Sequence, residues 1–161
     1  MASIRIILLT TACAVLYGLV HNQITIRLSY EYFTIAHPRW IESQNPTVLA
    51  LFWGVIATWW AGAIGGVVLA IACQAGPNPR LGAGDLRRPL FTGLLVMGAC
   101  AFGAAMLGAL VLPISSLHAF FSKQVLEAVP EAHQRGLLTA GAAHNASYLA
   151  GALVVIAIAV R

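Results

Sequence analysis

The chain has 161 residues, 60% of them hydrophobic and 9% charged, with a formal net charge of +4. A soluble domain carries about a quarter of its residues as charges, so this composition excludes one and leaves no room for a catalytic domain outside a membrane. The positive charge is not a nucleic-acid signal: the arginines flank apolar stretches, without the basic-aromatic interleaving that single-stranded nucleic-acid binding requires.

Four apolar stretches of spanning length are predicted, at 4–26, 47–73, 90–112 and 136–160. The expected fold is all-α, an integral membrane four-helix antiparallel bundle in one transmembrane domain covering 1–161. The first run continues to Val20 past the small-residue triplet Ala12-Cys13-Ala14, which reads as an uncleaved span rather than a signal peptide. Nothing in the sequence breaks this helix before Pro38, so it is expected to protrude to about Ala36. On that extension Gln23, Arg27 and Glu31 share a face at i, i+4, i+8, which predicts an Arg27–Glu31 ion pair. Turn formers follow from His37-Pro38 to Asn45-Pro46.

In the second span Gly54, Thr58 and Gly62 recur every four residues, as do Ala57, Ala61 and Gly65. Such small-residue faces let helix backbones approach closely, within the bundle, on a second copy or on a membrane partner. A turn region runs through Gly76-Pro77, Pro79, Gly82 and Gly84 to Pro89, where the third span is expected to begin. An amphipathic segment at 116–129 is expected as an interfacial helix or as an extension of the third span. The three cysteines, Cys13, Cys73 and Cys100, lie in apolar stretches without paired spacing and read as small hydrophobes. Arg80, Arg87 and Arg88 crowd the short middle connection, which favours both termini in the cytoplasm.

An antiparallel four-span topology places the first and third connections on one side of the membrane. All five histidines and four of the five acids fall in that half. His144 lies inside the fourth span with Asn145, Ser147 and Tyr148 nearby. Polar groups at such depth normally face the bundle interior or a wet cavity. His144 is therefore expected to turn towards the end of the first span, where His21, Gln23, Arg27 and Glu31 lie. Three chemistries suit the cluster: a divalent metal ion held by His21, Glu31, His37 and His144; proton handling by the same groups; or a haem held between His21 and His144. The haem reading is the weakest, because an axial pair normally lies deeper than the end of a span. No H-E-x-x-H or E-x-x-H spacing is present. In the leading reading Arg27 holds Glu31 ionised and Tyr148 orients His144. His118 and His133 read as solvated loop residues.

The stretch His21-Asn22-Gln23-Ile24-Thr25-Ile26-Arg27, followed by Glu31-Tyr32-Phe33-Thr34-Ile35-Ala36-His37-Pro38, resembles a family of small, uncharacterised bacterial integral membrane proteins. Their signature is H-D-Q-x-T-x-R … E-Y-F-T-I-x-H. The resemblance continues through Trp53–Trp60 and more weakly through His144–Tyr148, over some two thirds of the chain. It implies a four-span fold and the bacterial inner membrane, and no particular activity. Asn22 stands where that pattern has Asp, and Ser29 where it often has Cys. A metal bound through that acid or thiol would lack a ligand here. The resemblance places the site at His21, Gln23, Thr25, Arg27, Glu31, Thr34, His37, His144 and Tyr148. The leading functional expectation is a metal-binding or proton-handling polar site. The alternative is a non-catalytic anchor or accessory subunit of a larger membrane complex, associated with haem or pigment. A small transporter is a third reading, disfavoured by the absence of a broken central helix or internal repeat.

Overall fold

The structure, a computed structural model, describes residues 1–75 and 80–161; the turn expected at Gly76–Pro79 lies outside them. It is an antiparallel helical bundle with four helices long and apolar enough to cross a membrane. In chain order the helices are α1 (Ala2–Thr25), α2 (Tyr30–Thr34), α3 (Pro46–Ile56), α4 (Trp59–Ala75), α5 (Ala83–Leu110), α6 (Lys123–Ala128) and α7 (Glu131–Ala159), with a 3₁₀ turn at Ile114–Ala119. α3 and α4 together form the second span.

The helices pair through small residues, as the sequence suggests. α1 packs along α3 and α4, and α5 packs along α7. A Cβ on Gly62 would lie 2.7 Å from Ala14 Cβ and 2.8 Å from Thr11 Cα, and one on Gly66 would lie 2.8 Å from Ile7 Cα. Gly18 meets the Gly54 carbonyl and the Thr58 side chain in the same way. The Gly54–Thr58–Gly62 face is thus turned towards α1 inside the bundle. The second span, expected to run unbroken, is interrupted level with Gly18, at Ala57-Thr58 between α3 and α4. There the Thr58 hydroxyl donates to the Gly54 carbonyl at 2.6 Å and the Thr58 N–H reaches only back to Val55. On the other pair, Gly108 admits the α7 backbone at Thr139, and Gly151 admits Met97. Among the described glycines of α5, Gly98 and Gly103 meet nothing within 4 Å.

Four boundaries differ from expectation. The fourth span starts at Glu131, directly after Pro130, rather than at 136. The first span does not protrude to Ala36. α1 ends at Thr25, and the N–H groups of Arg27 and Leu28 fall back to i−3 carbonyls. Buried Ser29 then caps α2, accepting from the Tyr32 N–H at 3.2 Å. The Leu28 carbonyl presses on Gly136 of α7, where a Cβ would overlap it. The third span starts at Ala83, not after Pro89, because the Asp85 carboxylate reaches back to accept from the Gly82 N–H at 2.8 Å and fixes the helix start. The segment expected as one amphipathic helix at 116–129 is a 3₁₀ turn and a separate six-residue helix, α6. The bend between them lets Phe121 pack against Gly141, where a Cβ would come within 2.8 Å of its ring.

Two apolar clusters divide the bundle lengthwise. One, at the end carrying the α1–α2 and α5–α7 connections, contains Phe33, Trp53, Leu117, Leu137 and Leu138. The other, at the opposite end, contains Ile6, Leu69, Leu86 and Leu90. Polar side chains lie beside the first cluster and stop short of the second.

Candidate functional site

Buried polar residues of α1 and α7 meet at the bundle centre. Asn22 and Thr25 of α1, Ser29 after it, and Thr139, His144 and Ser147 of α7 are all buried. α1 and α7 run antiparallel, so residues further back along α1 face residues further on along α7. The hydroxyls of Tyr17 and Ser147 are 2.7 Å apart, and His144 Nε2 is 3.1 Å from the Thr25 hydroxyl. Tyr17 lies eight residues before the end of α1, about 12 Å deep at 1.5 Å per residue. Below it Thr10 and Thr11 bond only their own helix backbone, and the second apolar cluster closes the polar column.

The centre of the column is a pair of imidazoles. The His21 and His144 rings stand edge to face with centroids 4.5 Å apart. Tyr17 stacks over His21 at 5.4 Å, and Tyr32 stacks over His144 at 4.3 Å. The Thr25 hydroxyl also lies 3.1 Å from the His21 carbonyl, an acceptor only. A threonine has one proton to give. If it goes to that carbonyl, His144 Nε2 carries its hydrogen and donates to Thr25. His21 Nε2 is buried and has no hydrogen-bond partner among the described residues. Such an atom is costly to leave unpaired, by about 1–3 kcal/mol.

His37 lies after α2 on the other side of Tyr32, with ring centroids 4.9 Å apart. Its Nδ1 is 2.7 Å from the Tyr32 carbonyl, so Nδ1 carries the hydrogen. Phe33 stacks on it at 5.8 Å and Trp53 lies at 4.5 Å. Burial pushes the His37 imidazole below the ordinary histidine value, and its bond to the Tyr32 carbonyl only partly opposes this. Burial likewise pushes the Tyr32 phenol up, with the neighbouring Tyr148 adding to the shift. His37 and His144 thus flank one aromatic wall, Tyr32-Phe33, without touching each other.

Glu31 is not part of this group. Its carboxylate turns to the surface, where Oε1 lies 2.6 Å from His133 Nδ1 and Oε2 accepts from the Ser29 hydroxyl at 3.2 Å. The expected Arg27–Glu31 pair does not form, because the turn at 26–29 destroys the i,i+4 relation. Arg27 instead donates to the Gln23 carbonyl and, at 3.1 Å, to Gln23 Oε1. Gln23 in turn donates to the Thr47 carbonyl at 3.1 Å, tying α1 to the start of α3. Tyr148 is 46% exposed on the outside of α7 and does not hold His144; Thr25 does. Among the described residues no three His, Cys, Asp or Glu side chains are placed to hold a metal ion. The four-ligand set of His21, Glu31, His37 and His144 is therefore not assembled. His133 does more than a solvated loop residue would, since it partners Glu31.

Thr25, one helical turn after His21, is among the residues that the resemblance placed at the site. Several other contributors were not singled out from sequence. Ser29, three residues before Tyr32, carries the position of a capping hydroxyl. Tyr17, Tyr32, Phe33 and Trp53 form the aromatic enclosure, which apolar runs disguise as ordinary core. Arg135 donates to the carbonyls of Gly108 at 3.0 Å and Leu112 at 2.6 Å, closing the end of α5 with a cation. Comparison with protein-family models, curated proteins and solved structures finds no match for this chain.

Proposed function

We propose that the chain is a multi-pass membrane protein of the bacterial inner membrane whose His21–His144 pair reversibly binds a proton delivered from the non-cytoplasmic side. The observation that carries this reading is the buried, unpartnered His21 Nε2 beside an imidazole already oriented by Thr25. An unpartnered ring nitrogen is an open position for a proton. The Glu31–His133 couple is the entry, since it lies at the surface of the same half of the bundle, with the two side chains 2.6 Å apart and His133 open to solvent. The arginines Arg5, Arg80, Arg87, Arg88 and Arg161 gather at the other end of the bundle, which supports a cytoplasmic location for both termini.

Proton binding fits better than a metal because Glu31 is committed to His133 and Ser29. It fits better than conduction because the polar column ends against the apolar cluster of Ile6, Leu69, Leu86 and Leu90. The site is a dead end that senses or stores a proton. The test is proton uptake by metal-free protein in lipid nanodiscs, titrated from pH 8 to pH 4 with a soluble indicator. The wild-type chain is expected to take up one more proton, reversibly, than His144→Phe. Equal uptake by the two proteins would end the proposal, as would near-stoichiometric metal that copurifies with the wild type and is lost from His144→Ala.

A further inference from the structure

At the end of the bundle away from the histidines, α5 and α7 leave an open groove of about 470 Å³. Its walls include Val96, Val154 and Ala157, and Arg88 and Arg161 line it as well. Arg88, Thr92 and Val96 recur every four residues on α5, Val154 and Ala157 lie three apart on α7, and Arg161 follows just past the end of that helix. The two stripes therefore face each other, with a guanidinium at the same end of each. Gly93 lets the helices close there, since a Cβ would overlap Val154.

Among the described residues neither arginine forms a salt bridge: those present are Lys123–Glu127 and His133–Glu31, both at the other end. Asp85, one turn before Arg88, accepts at Oδ2 from the Gly82 N–H at 2.8 Å. A guanidinium presents a planar fork of donors that matches a phosphate, and basic pockets between membrane helices suit anionic head groups. A free phosphate would satisfy the arginines and leave the apolar walls below them unused. A phospholipid uses both.

We propose that this groove is a binding site for one anionic phospholipid, its phosphate held between Arg88 and Arg161 and an acyl chain lying against Val96, Val154 and Ala157. The site is independent of the histidine pair. The experiment is native mass spectrometry of the delipidated full chain in detergent, titrated with phosphatidylglycerol or phosphatidylcholine of the same acyl chains. Phosphatidylglycerol is expected to bind saturably at one per chain, and more tightly than phosphatidylcholine. R88Q/R161Q should weaken it about 25-fold, from about fivefold per arginine near the membrane surface. A157F, which fills the groove from an exposed position, should weaken it without changing any charge, and serves alone if the double variant does not fold. The site is refuted if the two lipids bind alike or if A157F binds phosphatidylglycerol as the wild type does. It is also refuted if inorganic phosphate displaces the lipid as well as competing phosphatidylglycerol.

Discussion

Replacing Thr25 by Val removes one hydroxyl at almost constant volume and asks whether that hydroxyl seats His144. Thr25 is 2% exposed and His144 6%, so neither the freed imidazole nitrogen nor the valine gains water in exchange. The contact at 3.1 Å is an ordinary hydrogen bond between neutral groups, worth about 1 kcal/mol when made. Its loss leaves a buried ring nitrogen unpaired, which costs about 1–3 kcal/mol. The bond from Thr25 to the His21 carbonyl is lost as well, but that carbonyl still accepts within the helix, so its loss adds little. Thr25→Val should therefore destabilise the protein by about 1–3 kcal/mol, while Thr25→Ser, which keeps the hydroxyl, should cost less. Thermal unfolding of both variants in detergent, followed by circular dichroism, measures the difference. The decisive form is a double-mutant cycle with His144→Phe, in whose background Thr25→Val should cost less than about 0.5 kcal/mol, because no nitrogen remains to be orphaned. Equal cost in both backgrounds, or a Thr25→Ser variant weaker than Thr25→Val, would refute the reasoning.

The pH dependence of stability should carry a His37 signature. Its folded value is depressed, so the unfolded chain takes up the proton first as pH falls through 6.5. Stability is then full above pH 6.5 and declines below it until His37 also protonates in the folded state; His37→Gln should flatten that decline in an acid-dependent melting series. Gly62→Ala should destabilise by about 1–3 kcal/mol, because the new methyl meets the α1 backbone at Thr11. Gly103→Ala, where nothing lies within 4 Å, should instead stabilise by about 0.5–1 kcal/mol, and a side-by-side melting comparison reads the opposite signs. Arg135→Met should cost about 1.5–3 kcal/mol or more by removing a charged donor from two carbonyls, detectable as earlier hydrogen exchange at the end of α5. His133→Ala should cost no more than about 1 kcal/mol, since His133 is largely exposed, and leave the melting curve nearly unchanged.

The sequence makes the spans plain because long apolar runs have one physical use, and their small residues announce close helix contacts. It also singles out His144, an imidazole inside an apolar run that must find company, and the polar end of the first span with His21; His37 stands out through the resemblance. Their partners are harder to read. Helix periodicity carried past Thr25 pairs Glu31 with Arg27, whereas the chain turns at 26–29 and delivers Glu31 to His133, more than a hundred residues on. No local pattern encodes that meeting; it depends on where α7 begins relative to Leu28, which Gly136 decides. Tyr148 sits one turn after His144 and looks like its natural support, yet a helix in a bundle has an outer face, and Tyr148 lies on it. The aromatic enclosure is invisible for another reason: Tyr32, Phe33 and Trp53 are unremarkable as hydrophobes until the fold stacks them on histidines.

The most direct test of the central imidazole pair is nitrogen-15 magnetic resonance of histidine-labelled protein in lipid, following His21 and His144 through an acid titration. The account predicts ring-to-ring correlations between the two, consistent with centroids 4.5 Å apart, and a protonation shift felt by both rings together. Two rings that show no mutual correlation, or that both remain neutral down to pH 4, would contradict it.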